Sequence, residues 1–389
     1  MAVAPQPIPT VAEAVVLVDA GELDEALQAF QRIAAANPND HEARLWIARV
    51  HVLMDHPERA EPVFRSVALE DPTSLTAILG VGDALSSRRE FDEAIEVLEG
   101  AEKRAPEDPE VLAALGRAHA RAGHSREAVT YFQRASGAAP TEANAVWLER
   151  ARLAHGHRVD VAGLIEQFDG GLEDTHGADV NISVRLAENF RLTGRGQVAK
   201  KFGFNDERGG LGLEWRWKPA TTILGHVLVG PGNKVLGQNE VYAELDHVGR
   251  NMQWMLGFRF VDFEGANISV VSPGLVWQAT GRISLAALYS LSRTTSLSFS
   301  GSESSHSLRV DGSYLLRPRV SLVAGYATGV DRFDMLSIDR IGDFGAKTGS
   351  SGVRIDFPTL TSVLGVFEHS ARDDGFNMNR FTVSLSQRF

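Results

Sequence analysis

Four prolines, Pro38, Pro72, Pro106 and Pro140, stand 34 residues apart, and this period limits the fold of the first part of the 389-residue chain more tightly than any other feature. In the same register lie Ala26, Ala60, Ala94 and Ala128, each followed four positions later by Phe30, Phe64, Leu98 or Phe132. Residues four apart share a helix face, so the small one admits a neighbouring helix and the large one fills the space beside it. Proline cannot continue a helix, so each marks the end of the second helix of a unit. Gly82 and Gly116 share another register position, as do Gly21 and Gly123. The pattern predicts four helical pairs over about residues 7–142, each unit burying its apolar face against its neighbours.

This arrangement resembles the tetratricopeptide repeat (TPR), although the aromatic that the family carries in the first helix is mostly missing and Leu98 replaces phenylalanine in the third unit. A fifth, degenerate unit from Asn144 to Phe168, with Trp147 on its first helix, is expected to cap the stack, giving a helical domain over residues 1–168. Such stacks bind peptides on a concave face lined by their first helices. By register that face carries Arg49, Asp83, Arg117, Arg121 and Trp147, the candidate contacts for a protein partner.

A Gly- and Asp-containing stretch, residues 169–178, reads as a linker, and from 179 to 389 the period drops to two. Leu211, Leu213, Trp215 and Trp217 alternate with Gly212, Glu214 and Arg216; Leu308, Val310, Tyr314 and Leu316 alternate with Arg309, Asp311 and Ser313. A soluble sandwich alternates too, but with strands of about five or six residues, whereas a tilted membrane-crossing strand needs about 9–11. Many segments here have that greater length. Aromatics (Trp217, Trp254, Phe260, Trp277, Tyr289, Tyr314, Tyr326) fall near strand ends, as interfacial girdles do. Long connectors near 230–238, 263–267, 292–305, 329–345 and 372–377 alternate with tight ones near Pro219, Gly249, Gly281, Pro318 and Pro358. That alternation is the outer-membrane barrel pattern.

Eleven strands count back from Phe389 to about residue 211, and one more lies near 179–191. Placing both ends of the barrel at one side requires an even number, so the expectation is about 12 strands, with Gln197 to Phe204 left as a loop or strand extension. The expected fold class is therefore an α + β multidomain chain: a helical TPR solenoid, then an antiparallel transmembrane β-barrel. Its inward face is predicted to carry Glu214, Arg216, Glu244, Asp246, Arg259, Arg309, Asp311, Arg354 and Asp356.

Composition narrows the function classes. A net charge of -11 argues against nucleic acid as a partner. The absence of cysteine removes thiolate catalysis and disulfides. No apolar run is long enough for a membrane helix, so a spanning form must be a barrel. Met1 to Thr10 holds neither a basic nor an apolar export region, and a mature chain with its signal removed is expected.

At the C-terminus Phe381, Val383, Leu385 and Phe389 alternate with polar residues and the chain stops on phenylalanine, which looks like the strand by which the barrel assembly machinery recognises outer-membrane proteins. With Gly325-Tyr326, Arg332-Phe333-Asp334 and Arg380-Phe381-Thr382-Val383, the stretch from about Glu214 resembles the YaiO-type outer-membrane barrel family, departing from the terminal signature at Gln387. The resemblance implies an outer-membrane location in contact with lipid and brings no catalytic residues; the repeats are expected in the periplasm, no cofactor is expected, and the His, Asp and Glu positions show no metal-ligand spacing. The order of parts is similar to exporters of cellulose and of poly-N-acetylglucosamine, so transport of a polysaccharide or other envelope component is one expectation. A non-conducting anchor that recruits a partner is the second. A lipid-modifying enzyme is the third and is disfavoured, because the pairs His369-Ser370 and His306-Ser305 are strand neighbours that point to opposite faces.

Overall fold

The computed structural model describes residues 7–169, 173–249, 251–296, 302–329, 345–373, 375 and 377–389. They form two compact units, Met1–His155 and Gly156–Phe389.

The first unit contains helices α1 (Val11–Ala20), α2 (Leu23–Ala36), α3 (His41–Leu53), α4 (Pro57–Glu70), α5 (Leu75–Ser87), α6 (Phe91–Arg104), α7 (Pro109–Ala122), α8 (Ser125–Ala138) and α9 (Glu142–His155). The 34-residue register sets both ends of each pair. Asp40, Ser74 and Asp108 accept N–H groups of the first turns of α3, α5 and α7, satisfying donors that a helix start leaves open. Pro38, Pro72 and Pro106 follow the ends of α2, α4 and α6. Ala26, Ala60, Ala94 and Ala128 are buried, as are Phe30, Phe64, Leu98 and Phe132. A Cβ on Gly82 would meet the Leu98 side chain at 2.6 Å, and one on Gly116 would meet Phe132 at 2.7 Å. These glycines let successive helices close on the large residue of the next. Gly21 and Gly123 end α1 and α7 in the left-handed region, and the same register position in the middle repeats is held by Asp55 (φ 66°) and Arg89 (φ 68°).

The second unit is a closed antiparallel barrel of fourteen strands: β1 (Arg158–Phe168), β2 (Thr175–Ala187), β3 (Phe190–Lys201), β4 (Phe204–Lys218), β5 (Thr221–Val229), β6 (Asn239–Val248), β7 (Met252–Phe263), β8 (Ala266–Gln278), β9 (Ile283–Ser296), β10 (Ser302–Arg317), β11 (Val320–Thr328), β12 (Ala346–Asp356), β13 (Thr361–Arg372) and β14 (Met378–Arg388). Each strand pairs with its sequence neighbours, and β1 closes on β14 with Arg158 opposite Arg388 and Phe168 opposite Met378. Backbone bonds between His157 and Phe389 carry that seam to the last residue. With an even strand number the barrel begins and ends at one rim, here the terminal rim; the opposite one is the loop rim.

Two expectations are corrected. The count is fourteen rather than about 12, and the boundary between the units lies at His155 rather than after residue 168. Residues 158–168 continue no helix: they are β1, with Val161 and Ile165 facing out and Ala162, Leu164 and Glu166 facing in. Apolar residues on both faces mask the period of two there. The proposed linker is mostly the β1–β2 connector and the start of β2, and Gln197 to Phe204 is the β3–β4 hairpin, turning at Phe202 and Gly203, both at positive φ. The pairing that replaces one expected strand with three keeps the total even.

Connector lengths follow the expected alternation only in part: at the loop rim 202–203 and 264–265 are two-residue turns, so the long connector expected near 263–267 is corrected. At the terminal rim the chain turns within two to four residues each time, as at 188–189, 219–220 and 318–319, whereas 230–238 and 329–345 lie at the loop rim. The 297–301 segment between β9 and β10 and most of the 329–345 connector, with Arg332-Phe333-Asp334, lie outside the described residues.

Candidate functional site

Two concave features stand out, one in each unit. In the helical unit α3, α5 and α7, first helices of their repeats, line a groove of about 730 Å³ together with the N-terminal part of α9. Arg49 lies over the Trp46 ring at 4.8 Å, and Arg117 pairs with Asp83 at 3.0 Å, on the same wall as Leu79 and Ala113. Arg49, Asp83 and Arg117 thus lie together in the groove. Arg121 reaches Asp83 only at 3.9 Å and does not line it. Trp147 stacks on Phe132 and packs with Ala128 and Ala151, so it serves the core rather than the groove. Trp46 and Asn144 also line the groove, and register alone does not single them out; Trp46 stacks on Phe30 as a packing residue would.

The same unit holds one strongly perturbed surface acid. Arg44 on α3 bonds both oxygens of Glu70 on α4, at 2.5 and 2.8 Å, and this pairing, with Ser66 and His41 beside it, holds the Glu70 carboxyl down at about 2. Tyr131 on α8 is pushed up to about 12 by burial and by the adjacent Glu102 carboxylate.

In the barrel the strands turn their apolar residues outward. Leu211, Leu213, Trp215 and Trp217 on β4, Leu308 and Val310 on β10, and Phe381, Val383 and Leu385 on β14 are all exposed. A soluble protein rarely leaves so large an apolar surface open, whereas a bilayer requires it. Trp217, Trp254 and Trp277 cluster toward the terminal rim, and Phe260 and Tyr326 face out nearer the loop rim.

The lumen holds the charges. All nine predicted inward residues face it: Arg309 pairs with Asp311 at 2.6 Å and Arg354 with Asp356 at 2.9 Å, Gln253 donates to Asp246 at 2.9 Å, Tyr242 donates to Glu244, Arg259 lies over Tyr242, and Glu214 and Arg216 project from β4. Toward the loop rim two networks run along the inner wall between strands that are adjacent or one apart. In one, Glu166 on β1 bridges Lys201 on β3 (2.8 Å) and Arg380 on β14 (2.8 Å), and Arg380 continues to Glu368 on β13 at 2.9 Å. In the other, Glu240 on β6 meets Arg208 on β4 (2.8 Å), Arg259 on β7 (3.3 Å) and His226 on β5 (3.1 Å), while Arg208 donates to Gln197, which in turn donates to Asp179. The Glu166, Lys201, Arg380, Glu368, Arg208 and Glu240 side chains are each 3% exposed or less.

Charges that line a water-filled pore stay wet, so these side chains sit in a packed part of the lumen. The 230–238 connector packs nearby: Asp206 accepts the backbone N–H groups of Lys234, Val235 and Leu236, and Val235 and Leu236 are buried. Between the wall strands β6 to β13 remains a cavity of about 580 Å³, lined by Tyr242, Arg259, Arg309 and the hydroxyls of Ser272, Ser290 and Ser350.

The adjacent pair His369-Ser370 divides across the wall. His369 bonds Asn379 on the outside, while Ser370 is buried inside against Thr348. Among the described residues no group of three or more His, Asp and Glu is placed to hold a metal.

Family models described as tetratricopeptide repeat match residues 17–80 and 85–153, and a second such model matches 53–109. The helical unit is a tetratricopeptide repeat domain. Among curated proteins, Protein O-mannosyl-transferase TMTC1 of Homo sapiens is 30% identical over 95 residues, 24% of this chain; the match spans only 11% of that protein's length. Among solved structures, a thermophilic TPR protein of Thermus thermophilus covers 37% of this chain and 80% of its own at 22% identity and a TM-score of 0.36. A bacterial polysaccharide outer membrane secretin covers 60% of this chain and 99% of its own at 11% identity and a TM-score of 0.42. With its repeats and its outward apolar wall, the chain as a whole is a TPR domain followed by an outer-membrane-type β-barrel.

The buried lumen charges are the residues that the sequence reading passes over. Glu166 lies in the stretch read as helical, and Lys201 and Arg208 in or beside the hairpin read as a loop. Arg380 and Glu368 share the inward parity set by Phe381 and Phe367, so alternation alone is enough to find them.

Proposed function

We propose that this chain is a barrel of the bacterial outer membrane, sealed in its resting form, that holds a TPR domain in the periplasm to recruit a protein partner during the handling of an envelope component. One observation carries the reading: six acidic and basic side chains, 3% exposed or less, pair along the inner wall from β13 through β14 and β1 to β6, as packing that fills a lumen would bury them. Fourteen strands fall between the eight that side chains fill and the sixteen or more that leave an aqueous channel. The YaiO-type assignment and recognition of β14 by the assembly machinery belong to the same proposal, supported by the outward row Phe381, Val383, Leu385 and Phe389. The mannosyl-transferase activity named for the human relative is not part of it, and neither is catalysis.

A second reading, a gated conduit for a polysaccharide, is favoured by one observation, the 580 Å³ cavity that persists inside the wall below the closure. The recruitment reading is tested by placing a photo-crosslinking residue at Leu79, in the groove, in cells of a Gram-negative host. A discrete periplasmic adduct that disappears with Arg117→Glu is expected. Adducts absent from Leu79 and equally frequent on the convex side would contradict it.

A further inference from the structure

Among the described residues the barrel has one mid-strand lapse of pairing, between β8 and β9. Their ladder runs from Ala266 opposite Ser296 to Val271 opposite Leu291, resumes at Gly274 opposite Leu288, and omits Ser272 and Pro273. The other irregularities, at Arg185/Ala187, Arg216/Lys218 and Leu315/Arg317, adjoin hairpin turns. On its far side β8 pairs with β7 without interruption, Leu256 standing opposite Pro273. Proline has no N–H to donate, so a proline whose ladder position is turned toward β9 opens a gap on that side alone. A barrel in lipid must satisfy its backbone groups internally, which makes a mid-strand proline a costly residue there. In this register Pro273 faces Tyr289, both exposed on the outer surface, and Ser272 faces Ser290, whose hydroxyls stand 2.8 Å apart on the inner surface.

Ser272 and Ser290 also line the 580 Å³ cavity, so the gap lies in the cavity wall. Much of that wall is aliphatic: Met255, Val276 and Leu288 on β7 to β9, and Val323, Leu364 and Val366 on β11 to β13. Inward glycines let these side chains converge. A Cβ on Gly274 would meet Met255 at 2.6 Å and Leu288 at 2.9 Å, and one on Gly352 would meet Val323 and Val366 at 3.0 Å. Barrel interiors are ordinarily polar. An aliphatic surface left to water is unfavourable, and an apolar cavity takes apolar ligands. The cavity's 580 Å³ falls within the range of about 300–1,000 Å³ usual for small-ligand sites.

We propose that this cavity holds the hydrocarbon chain of a bilayer lipid, which enters sideways between β8 and β9 where Pro273 breaks the ladder. The aliphatic wall supplies the affinity, because a chain that covers it removes apolar surface from water. The gap supplies the path, because two strands part more readily where the backbone bonds between them lapse. The inference rests on the reading of the barrel as embedded in a bilayer, and it is independent of TPR recruitment and of whether the lumen conducts.

The test uses the full chain in preformed phosphatidylcholine vesicles, to which a phosphatidylcholine carrying a diazirine near the end of one acyl chain is delivered. After illumination, adducts are assigned to residues by tandem mass spectrometry. Adducts on the outward Leu285 and Leu291 report embedding in the bilayer, and adducts on the inward Val276 and Leu288 report a chain in the cavity. Both sets are expected. Ala286→Trp, which fills the cavity from β9, should remove most of the inward labelling and leave the outward labelling unchanged. Pro273→Ala returns an N–H to the ladder and should slow the appearance of inward adducts severalfold. The heat-modifiable band of the folded barrel is checked for both variants. The proposal is overturned if outward residues are labelled and inward ones are not, if folded Ala286→Trp keeps its inward labelling, or if folded Pro273→Ala acquires inward adducts at the unaltered rate. Absence of both sets would contradict embedding in the bilayer itself, and the proposal with it.

Discussion

In the TPR domain Ala26, Phe30 and Leu98 are wholly buried; in the barrel the wholly buried side chains include Glu240 and Glu368, while Leu211 and Val383 are 65% and 60% exposed. The two units are built by one rule applied to different surroundings. Helices that stack in water hide apolar faces from it, whereas strands that close a barrel in lipid must turn those faces outward and settle their charges inside. The period of each pattern decides which surface is possible. A period near 3.6 gives one apolar stripe for a neighbouring helix, and a period of two gives two faces that differ in polarity.

The comparison breaks most visibly where a residue is moved to the wrong side of its rule. Phe132→Ala empties the space beside Gly116 and Trp147 and should destabilise the TPR domain by about 3–5 kcal/mol. Denaturant unfolding followed by tryptophan fluorescence should show that domain melting early, with the heat-modifiable band of the folded barrel unchanged on gels. The mirror experiment is Leu213→Arg, an arginine on the lipid face in mid-strand, expected to cost the barrel about 2–4 kcal/mol in vesicles. The same arginine substitution at an exposed position of the TPR domain, such as Leu69, should cost almost nothing, and an equal cost at both would remove the lipid-facing assignment of β4.

How far the sequence carried these conclusions depended on whether one period was uninterrupted. The repeats were legible to the residue because proline, alanine and aromatic recur in a fixed register, and β4 to β14 because Leu, Val and Trp alternate with Gly, Glu and Arg. The transition failed for a local reason: Leu164 and Ile165 are adjacent in β1, so that strand carries apolar residues on both faces and merges with the end of the solenoid. Of the five residues that register places on the concave face, Arg49, Asp83 and Arg117 line the groove, while Arg121 and Trp147 lie outside its lining, since a sequence position does not distinguish a tryptophan packed on Phe132 from one turned to the groove. The lumen ion pairs join strands as far apart in sequence as Glu166 and Arg380, and such pairing follows only from closure of the barrel.

Smaller effects sharpen the picture of the repeats. Arg89 holds at φ 68° the left-handed position that Gly21 and Gly123 occupy in the outer units. Arg89→Gly should therefore stabilise the domain by up to about 1 kcal/mol, with Gly123→Arg doing the reverse, both measured by urea midpoints. The smallest effect is on acid stability. Glu70 is held well below its ordinary 4.5, at about 2, by Arg44, so its contribution is fully present above pH 4.5 and disappears as pH falls toward 2. Glu70→Gln should remove that part of the acid slope and leave behaviour near neutrality little altered, as read by helical circular dichroism across the titration.

The most direct test of the central claim, a bilayer-spanning barrel shut by its own ion pairs, is the conductance of the full chain inserted in planar lipid bilayers at neutral pH. Stable insertion without steady current is predicted, with current steps appearing when Glu166 and Glu368 are both changed to glutamine and Arg380 loses its partners. Sustained open-channel current from the unaltered chain would contradict the account, because charges buried as these are cannot line an open pore.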